Sequence, residues 1–138
     1  MLNRQNPAMR RYTLSVTLLM IGYVLALFGV NAFFENGPPS GATAYAAAVI
    51  PALPIIGVFF VIGRLLVELK DEYLRMLMVR QTLIATAFML SVATIWGFVE
   101  SFGLLPHAEA YWAAVLWFGG LGVGGCVNAL IERRGAEA

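Results

Sequence analysis

Three side chains that could bind a proton or a cation lie in one short segment. Glu100, His107 and Glu109 are close together in the sequence, and His107 is the single histidine of the chain. These three residues can form a proton or cation site, or Glu100 can be a solvated carboxylate at the end of a helix. A zinc site is not expected, because zinc is usually bound by clustered Cys and His.

Other catalytic patterns are incomplete. Cys126 is the single cysteine, so the chain can form no internal disulfide and carry out no dithiol chemistry. Gly120, Gly122 and Gly125 match G-x-G-x-x-G, but the dinucleotide motif requires a preceding strand in a βαβ unit, and these glycines lie in a long apolar segment. We therefore expect no catalytic residue, no cofactor and no metal. The sequence favours a protein that is not an enzyme, without deciding the question.

Small residues in the last apolar segment define a face for close helix contact. One helix face carries Ala113, Trp117, Gly120, Gly124 and Asn128, at about 100° per residue. Gly120 and Gly124 form a GxxxG pair, which lets a second backbone approach closely. This neighbour can be another helix of the chain or a second copy in a homodimer; a ligand groove is the third alternative. Asn128 is costly in lipid and should find a protein partner.

A second stripe of small and polar residues lies along one face of the third apolar segment and ends at Glu100. Ala93 and Gly97 form another small-xxx-small pair on this face, which predicts helix packing there as well. Thr82 and Thr86 lie on the same face. Their hydroxyls can bond carbonyls one turn earlier in the helix.

A polar segment precedes the third apolar segment and contains Asp71, Glu72, Tyr73 and Arg75. Asp71 is a favourable N-cap, and the carboxylates of Asp71 and Glu72 suit the positive end of a helix. Asp71 and Arg75 also have the i, i+4 spacing of a helical ion pair. The four residues are either a capped helix start or a surface where a partner docks.

This segment resembles the signature of a family of small four-span bacterial inner-membrane proteins. That signature is Asp-Glu, then an aromatic residue, then Arg, just before the third span. The resemblance implies a four-span fold in the bacterial inner membrane and brings no catalytic residue and no substrate. The similar residues are Asp71, Glu72, Tyr73 and Arg75, followed by Trp96-Gly97-Phe98 and the loop at Pro106.

Long apolar segments must position these residues. Hydrophobic residues make up 60% of the chain and charged residues 12%, against roughly 45–50% and 25% in soluble domains. We predict an all-α integral membrane four-helix bundle, because only helices satisfy the backbone of such segments in lipid. It forms a single transmembrane domain over 1–138, with spans at about 12–34, 42–66, 78–101 and 110–131.

Two features shape the second span. A turn over Asn36–Gly41, which includes Pro38 and Pro39, opens the segment. Pro51 and Pro54 lack the N–H groups that would bond the carbonyls of Ala47 and Ile50, so the span should kink near them.

The basic residues predict the orientation. All nine Lys and Arg residues fall before the first charge-free segment, between the second and third, or after the fourth. The positive-inside rule then places both termini in the cytoplasm. The formal net charge of +1 argues against nucleic-acid binding. The basic residues are Arg4, Arg10, Arg11, Arg64, Lys70, Arg75, Arg80, Arg133 and Arg134.

Together these patterns favour an accessory, scaffold or regulatory protein of the bacterial inner (plasma) membrane. It would act through helix packing and the turn at Asp71. Its expected partners are membrane lipid, a second copy of the chain, or a protein bound at that turn. The alternative is a small oligomeric transporter or channel for a proton, a cation or a small molecule. That alternative requires a polar path, for which Thr86, Thr94, Glu100 and Asn128 are the candidates.

Overall fold

The computed structural model describes residues 6–37 and 40–137. Arg4 of the first basic group, and Pro38 and Pro39 of the predicted turn, lie outside the described residues. All regular secondary structure in the described part is helical, which confirms the all-α prediction. The helices are α1 (Pro7–Glu35), α2 (Ala42–Val49), α3 (Ala52–Glu68), α4 (Glu72–Ser101) and α5 (Trp112–Glu137).

Three of these helices, α1, α4 and α5, are long and apolar enough to cross a membrane. The pair α2 and α3 meets the same criterion as one broken span, with a bend of 42°. Large apolar side chains lie on the outside; Leu18 is 69% exposed and Phe60 is 82% exposed. Soluble proteins rarely expose apolar surface on this scale, so the described helices have the surface of a membrane protein.

The predicted kink in the second apolar segment is confirmed. The helix breaks between Val49 and Ala52. The carbonyl of Ala47 accepts from the N–H of Ile50 at 3.3 Å, and the carbonyl of Ile50 accepts from Leu53 at 3.2 Å. These tighter i to i+3 bonds replace the bonds that the two prolines cannot donate.

The chain divides into two compact units, Met1–Lys70 and Asp71–Ala138. In the first unit α1 packs against α3. Glu68, at the end of α3, accepts hydrogen bonds from Arg11 of α1 at 3.4 Å and from Arg64 at 2.6 Å. Apolar residues three or four positions apart give one buried face. This face consists of Val58, Ile62, Leu65 and Leu69.

In the second unit α4 packs against α5. The buried residues of α5 are Trp117, Gly120, Gly124 and Asn128, which are four of the five residues predicted to share one face. On α4 the buried residue is Ala85. The small-residue face therefore forms the inside of this helical hairpin. A single domain over the whole chain stays a prediction.

Candidate functional site

The first turn of α4 contains the predicted polar segment, and Asp71 caps it as expected. Its backbone is extended, and its Oδ1 accepts hydrogen bonds from the N–H groups of Tyr73 at 2.9 Å and Leu74 at 3.3 Å. A helix leaves its first N–H groups without partners inside the helix, and a capping carboxylate satisfies them. The helix thus begins at Glu72 because Asp71 precedes it.

The other three residues of the segment divide into a surface pair and an anchor. Arg75 donates to Glu72 at 3.0 Å, an i, i+3 salt bridge in which the Glu72 side chain is 85% exposed. The hydroxyl of Tyr73 donates to Glu132 of α5 at 2.7 Å. Tyr73 therefore fixes the start of α4 to the end of α5, and Glu72 and Arg75 remain at the surface beside it.

We expect Asp71→Ala to lower the free energy of unfolding by roughly 0.5–2 kcal/mol, because two N–H groups lose their cap. Glu72→Ala is the matched control, since an exposed ion pair contributes little. Chemical unfolding of the purified protein in detergent measures both variants. Equal free energies of unfolding for Asp71→Ala and Glu72→Ala would show that the Asp71 cap does not stabilise α4.

Backbone contacts hold α4 and α5 together at the GxxxG pair. A Cβ added to Gly120 would lie 2.7 Å from the Cα of Ala85, and one added to Gly124 would lie 2.8 Å from the carbonyl oxygen of Gln81. No side chain fits in these gaps. In the described chain the neighbour of the glycine face is therefore α4, so a homodimer or a ligand groove at this face would require α4 to move away.

Polar bonds lie beside the glycine contacts. Arg80 Nε donates to Asn128 Oδ1 at 2.6 Å, and Asn128 Nδ2 donates to the carbonyl of Leu77 at 3.1 Å. Gln81 Nε2 donates to the carbonyl of Leu121 at 2.8 Å. The expectation that Asn128 finds a protein partner is confirmed. Arg80 and Gln81 were not predicted from the sequence as interhelical donors, although Gln81 lies one turn before the buried Ala85.

The two threonines of the third segment behave differently from each other. Each hydroxyl bonds a backbone carbonyl of its own helix, Thr82 to Val79 and Thr86 to Thr82, both at 2.9 Å. The Thr86 hydroxyl also accepts from Trp117 Nε1 of α5 at 3.0 Å. Thr86 thus extends the polar contacts between α4 and α5 towards the middle of the hairpin.

At its other end α4 stops in a turn that needs a glycine. Gly103 has φ +74°, and its N–H bonds the carbonyl of Glu100 at 2.9 Å, while Leu104 bonds Val99 at 3.1 Å. This pair of bonds is a Schellman motif with glycine in the left-handed position. The turn sends the chain back across the end of α4 and brings the loop towards Glu100.

The loop closes on Glu100, so two of the three predicted proton-site residues do meet. His107 Nδ1 lies 2.6 Å from Glu100 Oε1, and the N–H of Ala108 donates to Glu100 Oε2 at 3.2 Å. The hydrogen bond with Glu100, and then the negative charge of that residue, raise the pKa of His107. Within residues 6–37 and 40–137, no group of three His, Cys, Asp or Glu side chains is arranged to hold a metal ion.

We predict that this pair depends on pH. Because the pKa of His107 is raised in the folded protein, the ion pair stabilises the loop fully below the ordinary histidine pKa. The stabilisation is lost as the pH rises through the raised pKa. NMR titration of the imidazole should give a pKa above the ordinary value, and Glu100→Gln should bring it down. An unchanged pKa in Glu100→Gln would show that the two side chains do not pair.

Next to this pair, a cavity of about 490 Å³ lies between α4 and α5. Ala93 and Gly97 form part of its wall, and Trp96 and Trp112 line it as well. A Cβ added to Gly97 would meet no atom within 4 Å. Within the unit Asp71–Ala138, Gly97 therefore makes no close helix contact of the kind that the Ala93 and Gly97 pair predicts. We call this cavity the outer slot, after the membrane face at which the predicted orientation would place it.

The unit Asp71–Ala138 thus contains a capped helix start with an exposed ion pair, a closely packed polar hairpin interface, and the outer slot with Glu100 and Glu109 in its lining. Comparison of the chain with protein-family models, curated proteins and solved structures finds no match.

Proposed function

We propose that this protein is a non-enzymatic membrane-embedded docking protein that presents Glu72 and Arg75 to a protein partner. The observation that supports this is the exposed Glu72–Arg75 salt bridge on the first turn of α4. Such a pair adds little to stability. Charged groups at an interface contribute mainly to the specificity of association, so this pair on a firmly held helix start supports recognition by a partner.

The surrounding residues support recognition because they hold the pair still. Asp71 caps the turn and Tyr73 fastens it to Glu132. Binding costs less when the binding groups are already ordered. A charged pair held on an anchored helix end can therefore bind a complementary acidic and basic pair on a partner.

A charge swap tests this function. In the double variant Glu72→Arg with Arg75→Glu, the salt bridge within the helix can still form, but the surface that a partner meets has its charges reversed. We expect the swapped protein to remain folded, with a stability loss of at most about 1 kcal/mol because Glu72 leaves the positive end of α4, and to lose the proteins that co-purify with the wild type from native membranes. Retention of the same co-purifying proteins would exclude docking through this pair.

The proposal also includes a membrane location and a topology. We propose a four-span bundle in the bacterial inner membrane with both termini in the cytoplasm, as in the family that the Asp71–Arg75 segment resembles. The distribution of the nine basic residues supports this orientation. Three helices with spanning length and composition support the membrane location.

We predict that alkaline phosphatase fused after Ala138, which lies outside the described residues, is inactive, because this enzyme works only after export. A fusion within the loop, after Leu105, should be active. Phosphatase assays of intact cells compare the two fusions. The reverse pattern of activity would place the termini outside the cytoplasm.

The outer slot favours a second function, transport of a cation or a small molecule by an oligomer of this chain. The observation is a cavity beside a helix interface whose lining includes Glu100 and Glu109. Flux through liposomes that contain the purified protein tests it. Flux that exceeds that of empty liposomes and is lost in Gly97→Leu would support transport over docking alone.

A further inference from the structure

We propose that the outer slot binds a lipophilic organic cation, meaning an apolar body that carries one positive charge, such as an alkylammonium ion. This inference concerns a different surface from the Glu72–Arg75 pair and goes beyond the docking function. It also does not require transport. It depends on the shape, the lining and the charge of the slot.

The lining suits an apolar body. Trp96, Trp112 and Leu116 supply large apolar surface, and Ala93 and Gly97 leave room because their side chains are small or missing. Pockets for small ligands typically have volumes of several hundred Å³ and few polar groups. The volume of about 490 Å³ lies in that range.

The charges in the lining determine the sign of the charge that the ligand carries. Glu100 and Glu109 both line the slot, and no Lys or Arg occurs between Gln81 and Ile131. His107 is the one group nearby that can be positive, and it pairs with Glu100. With His107 protonated these three side chains still carry a net charge of −1, so the slot attracts cations.

The indole rings of Trp96 and Trp112 also favour a positively charged ligand. The face of a tryptophan ring attracts a cation, most strongly where water is excluded. Trp96 is 37% exposed and Trp112 is 50% exposed, so each ring is partly covered and partly open to a ligand. An ammonium group bound in the slot would therefore have indole rings and carboxylates among its lining groups.

The same charges disfavour a zwitterionic phospholipid headgroup. Its phosphate would approach Glu100 and Glu109 without a Lys or Arg to pair with it. Burial of an unpaired charge is costly. A ligand with a cation and no anionic group therefore fits best, and phospholipid becomes an alternative that the experiment can detect.

Two probes of equal shape and opposite charge test the proposal. Tetraphenylphosphonium is a lipophilic cation, and tetraphenylborate is an anion of nearly the same size. Equilibrium dialysis of the purified full-length protein in neutral detergent should show saturable binding of the cation and no saturable binding of the anion. Saturable binding of both probes, or of neither, would overturn the proposal.

Matched glycine variants locate the site. Gly97→Leu fills the slot, whereas Gly119→Leu adds the same side chain at another open position on α5; a Cβ meets nothing within 4 Å at either glycine. We expect Gly97→Leu to weaken cation binding at least about tenfold, a loss that dialysis resolves easily, while Gly119→Leu binds like the wild type. Melting curves verify that both variants are folded.

A charge variant and a competition complete the test. Glu109→Gln should weaken cation binding and leave the pair between Glu100 and His107 intact. Added phosphatidylethanolamine should not displace the cation. Equal loss of binding in Gly97→Leu and Gly119→Leu, unchanged binding in Glu109→Gln, or displacement by the phospholipid would each contradict a cation site in the outer slot.

Discussion

Gly120→Ala is expected to destabilise the protein by about 1–3 kcal/mol, the usual cost of excess volume in a packed interior. The added Cβ would lie 2.7 Å from the Cα and 2.9 Å from the carbonyl oxygen of Ala85. Both are backbone atoms of α4, so no flexible side chain can move aside. The variant forces α4 and α5 apart, and the loss appears as a lower unfolding temperature in detergent.

Gly119→Ala is the matched control and should change stability in the opposite direction. Its Cβ meets no atom within 4 Å, and alanine is favoured over glycine inside a helix by up to about 1 kcal/mol. Two neighbouring glycines thus give opposite signs for the same substitution. Equal unfolding temperatures for the two variants would show that the glycine face does not contact α4. A change of oligomer size in Gly120→Ala alone would point to a contact between copies.

Asn128→Leu is expected to have the second large effect, a loss of about 1–2 kcal/mol in the free energy of unfolding. The substitution removes the acceptor of the Arg80 Nε hydrogen bond and the donor to the Leu77 carbonyl. Hydrogen bonds to charged groups contribute about 1.5–3 kcal/mol in soluble proteins, and bonds between membrane helices contribute somewhat less. Since Asn128 is buried, water replaces these partners poorly.

A double-mutant cycle separates this bond from simple packing. Arg80→Met removes the donor, and the double variant Arg80→Met with Asn128→Leu removes both partners. If the two side chains interact, the double variant should lose less stability than the sum of the single variants, by 0.5 kcal/mol or more, as is usual for contacting residues. Additive losses would mean that Arg80 and Asn128 act independently.

Helix ends and breaks could be predicted from the sequence because they depend on nearby residues. Asp71 caps α4 through N–H groups two and three positions later, and the break near Pro51 follows from N–H groups that proline lacks. The inner face of α5 could also be predicted, since Trp117, Gly120, Gly124 and Asn128 follow the period of a helix.

The partners across the hairpin were decided by the tertiary structure. The sequence marks Gly120 and Gly124 as contact points, but only the register of α4 against α5 brings Ala85 and Gln81 to them. The same register pairs Arg80 with Asn128 and Tyr73 with Glu132. Register depends on both helices and on the loop between them, so it cannot be predicted from the residue spacing of one helix.

The residues around Glu100, at the end of α4, also show which features the sequence predicts and which depend on the tertiary structure. Glu100 and His107 were recognisable as ionisable residues near a membrane surface, yet their pairing depends on the left-handed turn at Gly103, which returns the loop over the helix end. Ala93 and Gly97 resemble a packing pair in sequence but line an open slot. Small residues permit another helix to approach closely, but they do not require it, because a small side chain only leaves space free. Whether a helix or a ligand fills that space depends on what the fold places opposite them.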